Sequence, residues 1–360
     1  MGEELKKTMR AFVGVGRGQF EMQDVPVPEI GDDDILIQLK AAAICGSDVH
    51  IYDGSMDPLC GYPVIVGHEN AGIIVKRGKN VAERWQVGDR VTSENTVDVC
   101  GSCYACITGD YVACEERKGM GIAADGILAE YVKIPGKLLR QVPDCIFKIP
   151  DNVSFEEAPL LEPAANGYKA IFQEGRLMGG ENVVVTGAGA IGLYSAHMAA
   201  IGGAAHVILM VRRSTAKDKI ATALKMGVTD VIYSDEPETC AEEVIRLTDG
   251  FGADLVVETT GVPAVMNTAL GLLHVKGRLV RIAINDTPYG YGLNSITLRS
   301  IEVIGHLGYN TVSWRNTINL ASQGKIDLTS IVTHRISLED SGHGFDMMVS
   351  REAGKVIVTM

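Results

Sequence analysis

The second half of the chain alternates short apolar runs with longer segments in which apolar and polar residues mix. We interpret the apolar runs as buried strands and the segments between the first five of them as helices. This alternation predicts parallel βαβ units, with helices on both faces of one doubly wound sheet. The predicted strands are Asn182–Thr186, Val207–Val211, Asp230–Tyr233, Asp254–Glu258, Arg278–Ile284 and Ile301–Ile304.

The first 150 residues or so follow a different pattern. Short apolar runs are separated by Gly, Pro and Asp, which is typical of a β-rich domain with tight turns. Clear examples of such runs are Ile35–Leu39, Ala71–Val75 and Leu128–Ile134.

The pattern changes near Ser154, where Glu157 follows at the spacing of a helix-capping box. From about Gly305 the chain returns to mixed character, and it ends in a predicted strand, Lys355–Thr359. We therefore predict a β-rich domain built from residues 1–163 and 305–360, with an α/β domain at residues 164–304 between its two parts.

Composition narrows the classes of function. Of 360 residues, 46% are hydrophobic and 22% are charged, which excludes disorder as the main state. The formal net charge of −12 makes an acidic surface, so we expect no nucleic-acid partner. The first ten residues are polar, and the uncharged stretch Ala190–Val211 contains two histidines and a Gly-Gly pair. We therefore expect a cytoplasmic protein with no secretory signal and no membrane partner.

A GAGAIG segment at residues 187–192 directly follows the first α/β strand and precedes a predicted helix. This context is the one that a dinucleotide-binding fingerprint requires. Gly187 permits the tight turn, Gly189 lets a pyrophosphate approach the backbone, and Gly192 allows close packing of helix and strand. Ile191 lies in the same loop, and we include it among the residues that contact the cofactor.

The end of the next strand indicates which dinucleotide is bound. An NAD site usually has Asp or Glu about 20 residues after the first glycine, where it holds the ribose 2′-hydroxyl. This chain has Val211-Arg212-Arg213-Ser214 there. Two guanidinium groups could hold a 2′-phosphate, so Arg212 and Arg213 favour NADP(H) over NAD(H), although a solvated basic pair is the alternative.

Four cysteines with gaps of two, two and seven residues predict a closed metal site. Four thiolates at such spacing can complete a tetrahedral Zn²⁺ shell, which has no open position and therefore stabilises structure. An iron–sulfur cluster is the competing interpretation, but its fourth cysteine usually follows more closely. The four residues are Cys100, Cys103, Cys106 and Cys114.

Two further motifs contain metal-binding residue types. CGSDVH occupies residues 45–50, and GHE occupies residues 67–69, followed by Gly72, Gly78 and GDRV at 88–91. Together with the four-cysteine segment and the later glycine loop, this order resembles the zinc-dependent medium-chain alcohol dehydrogenases over nearly the whole chain. The resemblance implies a GroES-like catalytic domain with a structural zinc lobe, a Rossmann domain, two Zn²⁺ ions per chain, and a homodimer or homotetramer.

The resemblance also implies roles for individual residues. Cys45 and His68 would bind a catalytic zinc, with Glu69 beside or on the metal. Where liver-type enzymes have a third cysteine, this sequence has Glu162 before a proline, as sorbitol and sugar dehydrogenases do. Ser47 would contact the substrate oxygen and His50 would continue a proton relay towards solvent, while Asp48 could orient a metal ligand.

The predicted function is therefore an oxidoreductase. It would transfer a hydride between NADP(H) and a secondary alcohol or ketone of a polyol or sugar-like small molecule. The arginine pair departs from the NAD preference usual in sorbitol and threonine dehydrogenases, so an aldose dehydrogenase and a threonine dehydrogenase-like enzyme stay open. A zinc protein that senses a nucleotide without catalysis is the alternative outside the enzymes.

Overall fold

The computed structural model describes residues 6–55, 60–285, 288, 290 and 292–360. The chain divides into two compact units, one made of Met1–Glu162 with Val332–Met360 and the other of Pro163–Ile331. The predicted boundary after residue 163 lies one residue beyond the observed one. The second predicted boundary is wrong, because residues 305–331 belong to the α/β unit.

Contacts of the segment before Val332 explain this correction. The Tyr194 hydroxyl donates to the Leu328 carbonyl at 2.7 Å, and the Asp327 N–H donates to His197 Nε2 at 2.9 Å. Both partners lie on the helix that follows the glycine loop. The segment is therefore fastened to the α/β unit before the chain returns to the first unit.

The first unit begins with strands and three short helices. Its strands β1–β10 are, in order, Thr8–Gly16, Gln19–Pro26, Ile35–Ile44, Val64–Ile65, Glu69–Arg77, Arg90–Ser93, Thr96–Asp98, Lys118–Gly119, Tyr131–Ile134 and Ile146–Lys148. Its helices α1–α3 are Gly46–Tyr52, Tyr104–Thr108 and Gly136–Gln141. The three apolar runs predicted as strands fall in β3, in β5 and around β9, so the β-rich prediction is confirmed.

The second unit alternates strands and helices, as predicted. Strands β11–β16 are Asn182–Thr186, His206–Val211, Asp230–Tyr233, Ala253–Glu258, Leu273–Arg281 and Glu302–Gly305. Helix α4, Leu161–Tyr168, begins two residues before the boundary, and helices α5–α10 are Ala190–Ile201, Lys217–Lys225, Pro237–Leu247, Pro263–Leu272, Leu293–Arg299 and Thr311–Ser322. Among the described residues the sheet order is β13-β12-β11-β14-β15-β16, and every neighbouring pair is parallel. This is the doubly wound order, with its switch point between β11 and β14.

The bounds of β12, β14 and β16 differ from the prediction by one residue, and the larger differences in the second unit concern β15 and α9. β15 begins at Leu273 rather than Arg278, and it ends at Arg281 rather than Ile284. Its first part contains Lys276 with a φ of 65° and a shift in register, so it lacks the regular pattern on which the prediction relied. The short helix α9 was not predicted.

The stretch Ala190–Val211 forms α5, a turn and β12, as predicted. In the part of the chain that the structure describes, no helix is long and apolar enough to cross a membrane.

The chain then returns to the first unit through β17 (His334–Ser337), α11 (Ser341–Val349) and β18 (Val356–Thr359). In the described residues its largest sheet has the order β10-β6-β5-β3-β18-β17, with β9 also paired to β3. The pairing register places Ile44 opposite Val356 and Ala43 opposite Glu69. The central strand β3 therefore brings the end of the chain and the GHE motif next to Cys45.

Candidate metal centres and cofactor site

Three of the predicted metal ligands meet at the end of β3. Cys45 Sγ, a ring nitrogen of His68 and a carboxylate oxygen of Glu69 lie within 4.8 Å of one another. His68 and Glu69 are buried, with 3% and 0% of their surface exposed, whereas Cys45 is half-buried. A thiolate, an imidazole and a carboxylate are the donor types that Zn²⁺ prefers, so the cluster fits a zinc ion.

Asp48 fixes the geometry of this cluster from the first turn of α1. Its Oδ2 accepts the backbone N–H of Cys45 at 2.9 Å, and its Oδ1 accepts His68 Nδ1–H at 2.9 Å. Nε2 is then the ring nitrogen left for a metal, as in many carboxylate–histidine–metal arrangements. Burial lowers the pKa of His68, but Asp48 and Cys45 raise it by more than this, so the pKa of His68 lies well above its ordinary value. The orienting role predicted for Asp48 agrees with these contacts.

Lys355 is a member of this cluster that the sequence analysis missed. Its Nζ lies 2.7 Å from Glu69 Oε1 and 2.5 Å from Oε2, and only 2% of the residue is exposed. Burial lowers the pKa of Lys355, yet Glu69, Cys45 and Glu162 raise it above its ordinary value. The available signal was its place at the start of a terminal strand next to β3, which requires the sheet order to interpret.

Glu162 lies beside the cluster without joining the group of three. It is buried with 6% of its surface exposed, and its charge interacts with Glu69, His68 and Lys355. Burial raises the pKa of Glu162 to about 7, with Glu69 adding to the effect and His68 and Lys355 opposing it. Its position is compatible with a ligand that moves onto the metal or contacts it through water.

The two residues predicted for proton transfer, Ser47 and His50, both lie on α1, and in the described part of the chain no hydrogen bond joins them. Ser47 is half-buried in the first turn, and His50 is exposed in the last turn. The His50 ring contacts Ser55 Oγ at 3.0 Å and Asp53 Oδ2 at 3.8 Å. The relay from Ser47 to His50 therefore stays a prediction.

The four cysteines of the second cluster converge as the spacing predicted. Their sulfur atoms all lie within 4.8 Å of one another, which fits a tetrahedral zinc site. The backbone N–H groups of Ser102 and Cys103 donate to Cys100 Sγ at 3.5 and 3.3 Å. These two hydrogen bonds lower the pKa of Cys100 to about 6, which favours the thiolate that a metal requires.

The glycine loop has the geometry of a phosphate cradle. Gly187 has a φ of 88°, and a Cβ on Gly192 would come within 2.1 Å of the Gly187 carbonyl oxygen. A Cβ on Gly189 would meet nothing within 4 Å, so this position opens outward at the start of α5. Ile191 is half-buried in the first turn of α5. The loop therefore offers backbone N–H groups to an anion without a side chain in the way.

The two arginines after β12 have different surroundings. Arg212 is exposed. Arg213 donates through Nε to Glu236 Oε1 at 2.7 Å, and its guanidinium carbon lies 4.4 Å from the centre of the Tyr233 ring. Its backbone N–H donates to Asp235 Oδ2 at 2.6 Å. Arg213 is thus held by an acidic turn that the sequence analysis did not consider, although parallel pairing of Val211 with Tyr233 makes the two strand ends neighbours.

Two known protein families match separate parts of the chain. Residues 31–144 match the family described as "Alcohol dehydrogenase GroES-like domain", and residues 190–323 match the family described as "Zinc-binding dehydrogenase". The first range contains the four cysteines and the Cys45 cluster of Cys45, His68 and Glu69. Glu162 and Lys355 lie outside this range. The second range begins within the glycine loop.

Similar proteins cover almost the entire chain. YdjL of Escherichia coli (strain K12), named as an uncharacterized zinc-type alcohol dehydrogenase-like protein, is 37% identical over 98% of this chain and 99% of its own. A sorbitol dehydrogenase of Halalkalibacterium halodurans is 33% identical, covering 98% and 99%. An L-threonine 3-dehydrogenase of Bacillus velezensis is 33% identical, covering 94% and 94%.

A solved structure agrees with the fold. A zinc-binding dehydrogenase of Sinorhizobium meliloti bound to NADP superposes with a TM-score of 0.86 at 28% identity, covering 99% of this chain and 100% of the other.

Proposed function

The chain belongs to the zinc-dependent medium-chain alcohol dehydrogenase family, in the branch with sorbitol and threonine dehydrogenases, and we propose that it oxidises a secondary alcohol of a polyol or sugar-like substrate with NADP⁺, reversibly. The observation that carries this proposal is the buried cluster of Cys45, His68 and Glu69, whose ligand atoms lie within 4.8 Å. A protein that only senses nucleotides has no need for a mixed, incomplete ligand set of this kind.

In this proposal the chain holds two zinc ions, one in each cluster. Cys45, His68 and a carboxylate would hold one ion, which would supply the Lewis acidity that polarises a carbonyl or lowers the pKa of an alcohol, and a dinucleotide held by the glycine loop would supply or accept the hydride. Asp48 keeps His68 in the orientation that leaves Nε2 available. Ser47 accepts or returns the substrate proton, and His50, which is exposed, passes it to solvent.

The third protein ligand is either Glu69 or Glu162. Glu69 already contacts Lys355 Nζ at 2.7 and 2.5 Å, so direct ligation by Glu69 would have to compete with this ion pair. Glu162→Gln tests this, because an amide is a poorer zinc ligand than a carboxylate. A loss of zinc from the variant supports direct ligation, whereas full zinc content with slower turnover supports contact through water. Unchanged zinc content and turnover would remove Glu162 from the site.

We propose that NADP(H) is preferred to NAD(H). Val211, which is buried, ends β12 where an NAD enzyme has a carboxylate, and the exposed Arg212 follows it. A charge-assisted hydrogen bond from Arg212 to a 2′-phosphate is worth about 1.5–3 kcal/mol, or roughly 10- to 150-fold in affinity. The pairing of Arg213 with Glu236 gives Arg212 the larger share of this effect.

The cofactor proposal is tested by the ratio of kcat/KM for the two cofactors. Val211→Asp combined with Arg212→Ala should reverse the preference, since it adds repulsion for the phosphate and a partner for the ribose hydroxyls. Glu236→Gln is the matched comparison, because it weakens the hold on Arg213 and should strengthen the NADP preference. A parent enzyme that already prefers NAD would contradict the proposal.

The substrate class rests on the relatives. The similarity to a sorbitol dehydrogenase supports a polyol, and the equal identity of an L-threonine 3-dehydrogenase keeps an amino alcohol as the second candidate. A screen of polyols, aldoses, ketones and threonine with both cofactors, followed by nicotinamide absorbance, separates these candidates. No turnover with any of them at full zinc occupancy would contradict the enzyme proposal.

We further propose a homodimer or homotetramer. β16 lies at the edge of the parallel sheet, and Leu293, Leu298 and Val303 near it are 77%, 83% and 40% exposed. An exposed strand edge with apolar neighbours favours pairing with another chain. Sedimentation equilibrium measures the state directly, and a monomer at micromolar concentration would contradict this proposal.

The same proposal includes a reducing, cytoplasmic location. The structure describes all eight cysteines; none of them forms a disulfide, and each is half-buried or buried. Free thiols in zinc sites persist where disulfides are kept reduced. Fractionation of cells that produce the protein tests the location.

A further inference from the structure

Glu258 is a fully buried carboxylate at the switch point of the parallel sheet. It is the last residue of β14, it pairs with Thr186 at the end of β11, and 0% of its surface is exposed. The glycine loop begins at the residue after Thr186. A buried charge at this place is costly unless several donors stabilise it.

One oxygen of Glu258 collects these donors. Oε1 accepts the backbone N–H of Thr260 at 2.7 Å and of Gly261 at 3.0 Å, and the Thr260 hydroxyl at 2.6 Å. It also accepts the Thr186 hydroxyl at 3.3 Å, while that hydroxyl accepts the Thr259 N–H at 3.1 Å. Within the described residues, Oε2 has no partner. The carboxylate thus joins the loop after β14 to the end of β11.

The same loop packs directly against the glycine loop. A Cβ on Gly187 would lie 2.9 Å from Thr260 Cγ2 and 3.0 Å from Thr259 Oγ1, and one on Gly192 would lie 3.1 Å from Thr259 Oγ1. The Thr259 hydroxyl donates to the Thr186 carbonyl, immediately before the turn. A displacement of residues 259–261 would therefore change the shape of the phosphate cradle.

We infer that Glu258 is a positioning residue for the cofactor pyrophosphate, acting through residues 259–261. The inference rests on the proposed function only in that the glycine loop binds a dinucleotide. Glu258 does not touch the cofactor, since its carboxylate is buried. It sets the position of the threonine pair, which in turn sets the space available over Gly187.

Glu258→Gln is the informative substitution. The amide oxygen can still accept the donors of Oε1, so the variant should fold, but its hydrogen bonds are weaker than those of a carboxylate. Its NH₂ group would replace Oε2, where no acceptor lies among the described residues. We expect ADP-ribose to bind about tenfold more weakly and the KM for NADP(H) to rise similarly, with a smaller change in kcat.

Asp254→Asn is the matched control on the opposite end of β14. Asp254 Oδ2 accepts the Asn182 N–H at 2.8 Å, and Oδ1 contacts His274 Nε2 at 2.8 Å. Asp254 is therefore also a carboxylate of β14 that is held by hydrogen bonds. The control should lower stability without changing ADP-ribose affinity. Calorimetric titration of the zinc-loaded enzyme with ADP-ribose, together with urea unfolding, compares the parent and both variants.

Each outcome of this experiment is decisive. Weaker ADP-ribose binding in Glu258→Gln alone supports the inference. Unchanged binding in Glu258→Gln, or equal weakening in both variants, would overturn it. A parent that binds neither ADP-ribose nor NADP(H) would contradict the proposed function instead.

If Glu258→Gln fails to fold, Thr260→Val is the second variant, because it removes one hydroxyl donor and keeps the N–H. Thr260→Val should weaken ADP-ribose binding about two- to fivefold. Unchanged ADP-ribose binding in this variant would also overturn the inference.

Discussion

The two candidate metal clusters of the first unit are assembled in opposite ways. The four-cysteine cluster comes from one short segment, Cys100–Cys114, and uses a single donor type. The Cys45 cluster draws on the end of β3 and the start of β5, with Glu162 beside it and Lys355, just before β18, in contact with Glu69. Thiol, imidazole, carboxyl and ammonium groups therefore meet there. A closed set of four thiolates favours stability, whereas a mixed set with three ligands leaves a position for substrate.

Charge separates the two clusters further. Around Cys45 the groups Asp48, Glu69 and Glu162 add three carboxyl groups, and Lys355 opposes them from within the same buried space. In the cysteine cluster the anionic charge would come from the thiolates, which backbone N–H donors such as those of Ser102 and Cys103 stabilise. We therefore expect substitutions in the Cys45 cluster to change turnover and metal affinity, and substitutions in the four-cysteine cluster to change the stability of the fold.

The largest expected effect is on turnover. Cys45→Ala or His68→Ala should lower kcat/KM by at least about a thousandfold, because the metal contributes several kcal/mol to the reaction. Zinc content should fall by one ion per chain, and NADP(H) binding should persist because the glycine loop lies in the other unit. Steady-state kinetics, elemental analysis and cofactor fluorescence measure these quantities. An active, zinc-depleted Cys45→Ala variant would refute the assignment.

The cysteine cluster should show the reverse pattern. Cys103→Ser should lower the free energy of unfolding by several kcal/mol, since a structural zinc contributes its binding energy to folding. Turnover per folded chain should change far less than in Cys45→Ala. Cys240→Ser is the control, because Cys240 is a buried thiol outside both clusters. Equal zinc content in Cys103→Ser and the parent would exclude a zinc role for this cluster.

Local patterns explain what the sequence could predict. The cysteine spacing and the glycine loop each lie within one segment, so their geometry follows from neighbours along the chain. The central strands of the parallel sheet are continuous apolar runs, and the ends of β11 and β13 agree with the prediction. Cys45 and His68 needed the family resemblance, because only the pairing of β3 with β5 brings them together.

Contacts between distant segments explain what the sequence did not reveal. Lys355 looks like an ordinary polar start of a strand until β18 is known to pair with β3. The segment 305–331 is fastened to the α/β unit partly through main-chain groups, such as the Leu328 carbonyl, which leave no mark on the sequence. Arg213 was expected to face a phosphate, but Glu236 at the next strand end binds it.

Lys355→Met sharpens the electrostatic part of the comparison. Removal of one partner leaves Glu69 as an uncompensated buried charge, which should destabilise the metal-free protein by about 3–5 kcal/mol. Zinc should restore much of this loss, because the freed carboxylate can bind the ion and lose its excess charge. Turnover should also fall, because the substitution changes the charge balance around Glu69 at the metal site.

Chelator-dependent urea unfolding measures this prediction. The difference in stability between zinc-loaded and zinc-free protein should be larger in Lys355→Met than in the parent. Lys79→Met is the matched control, because Lys79 pairs with Asp32 at 2.8 Å with both side chains exposed, and such pairs contribute at most about 1 kcal/mol. An equal response to chelation in Lys355→Met and the parent would exclude a role for Lys355 in balancing the cluster.

The smallest effect concerns Glu94, a buried carboxyl group near the cysteine cluster. It is 2% exposed, and burial raises its pKa to about 7, with Arg117 and Thr96 opposing the shift. Because the folded pKa lies above the unfolded value of 4.5, the folded state binds more protons between these two values. The contribution of Glu94 to stability is therefore complete below pH 4.5 and is lost as the pH rises through 7.

Glu94→Gln stays neutral, so its stability relative to the parent should increase by about 1–3 kcal/mol between pH 5 and pH 8. Urea unfolding at both pH values measures this change, with the exposed Glu83→Gln as the control for the same chemical substitution. A difference in stability between Glu94→Gln and the parent that does not vary with pH would show that the pKa of Glu94 is not raised by folding. Burial would then act differently on Glu94 and on Glu162 beside Cys45, whose pKa burial raises to about 7.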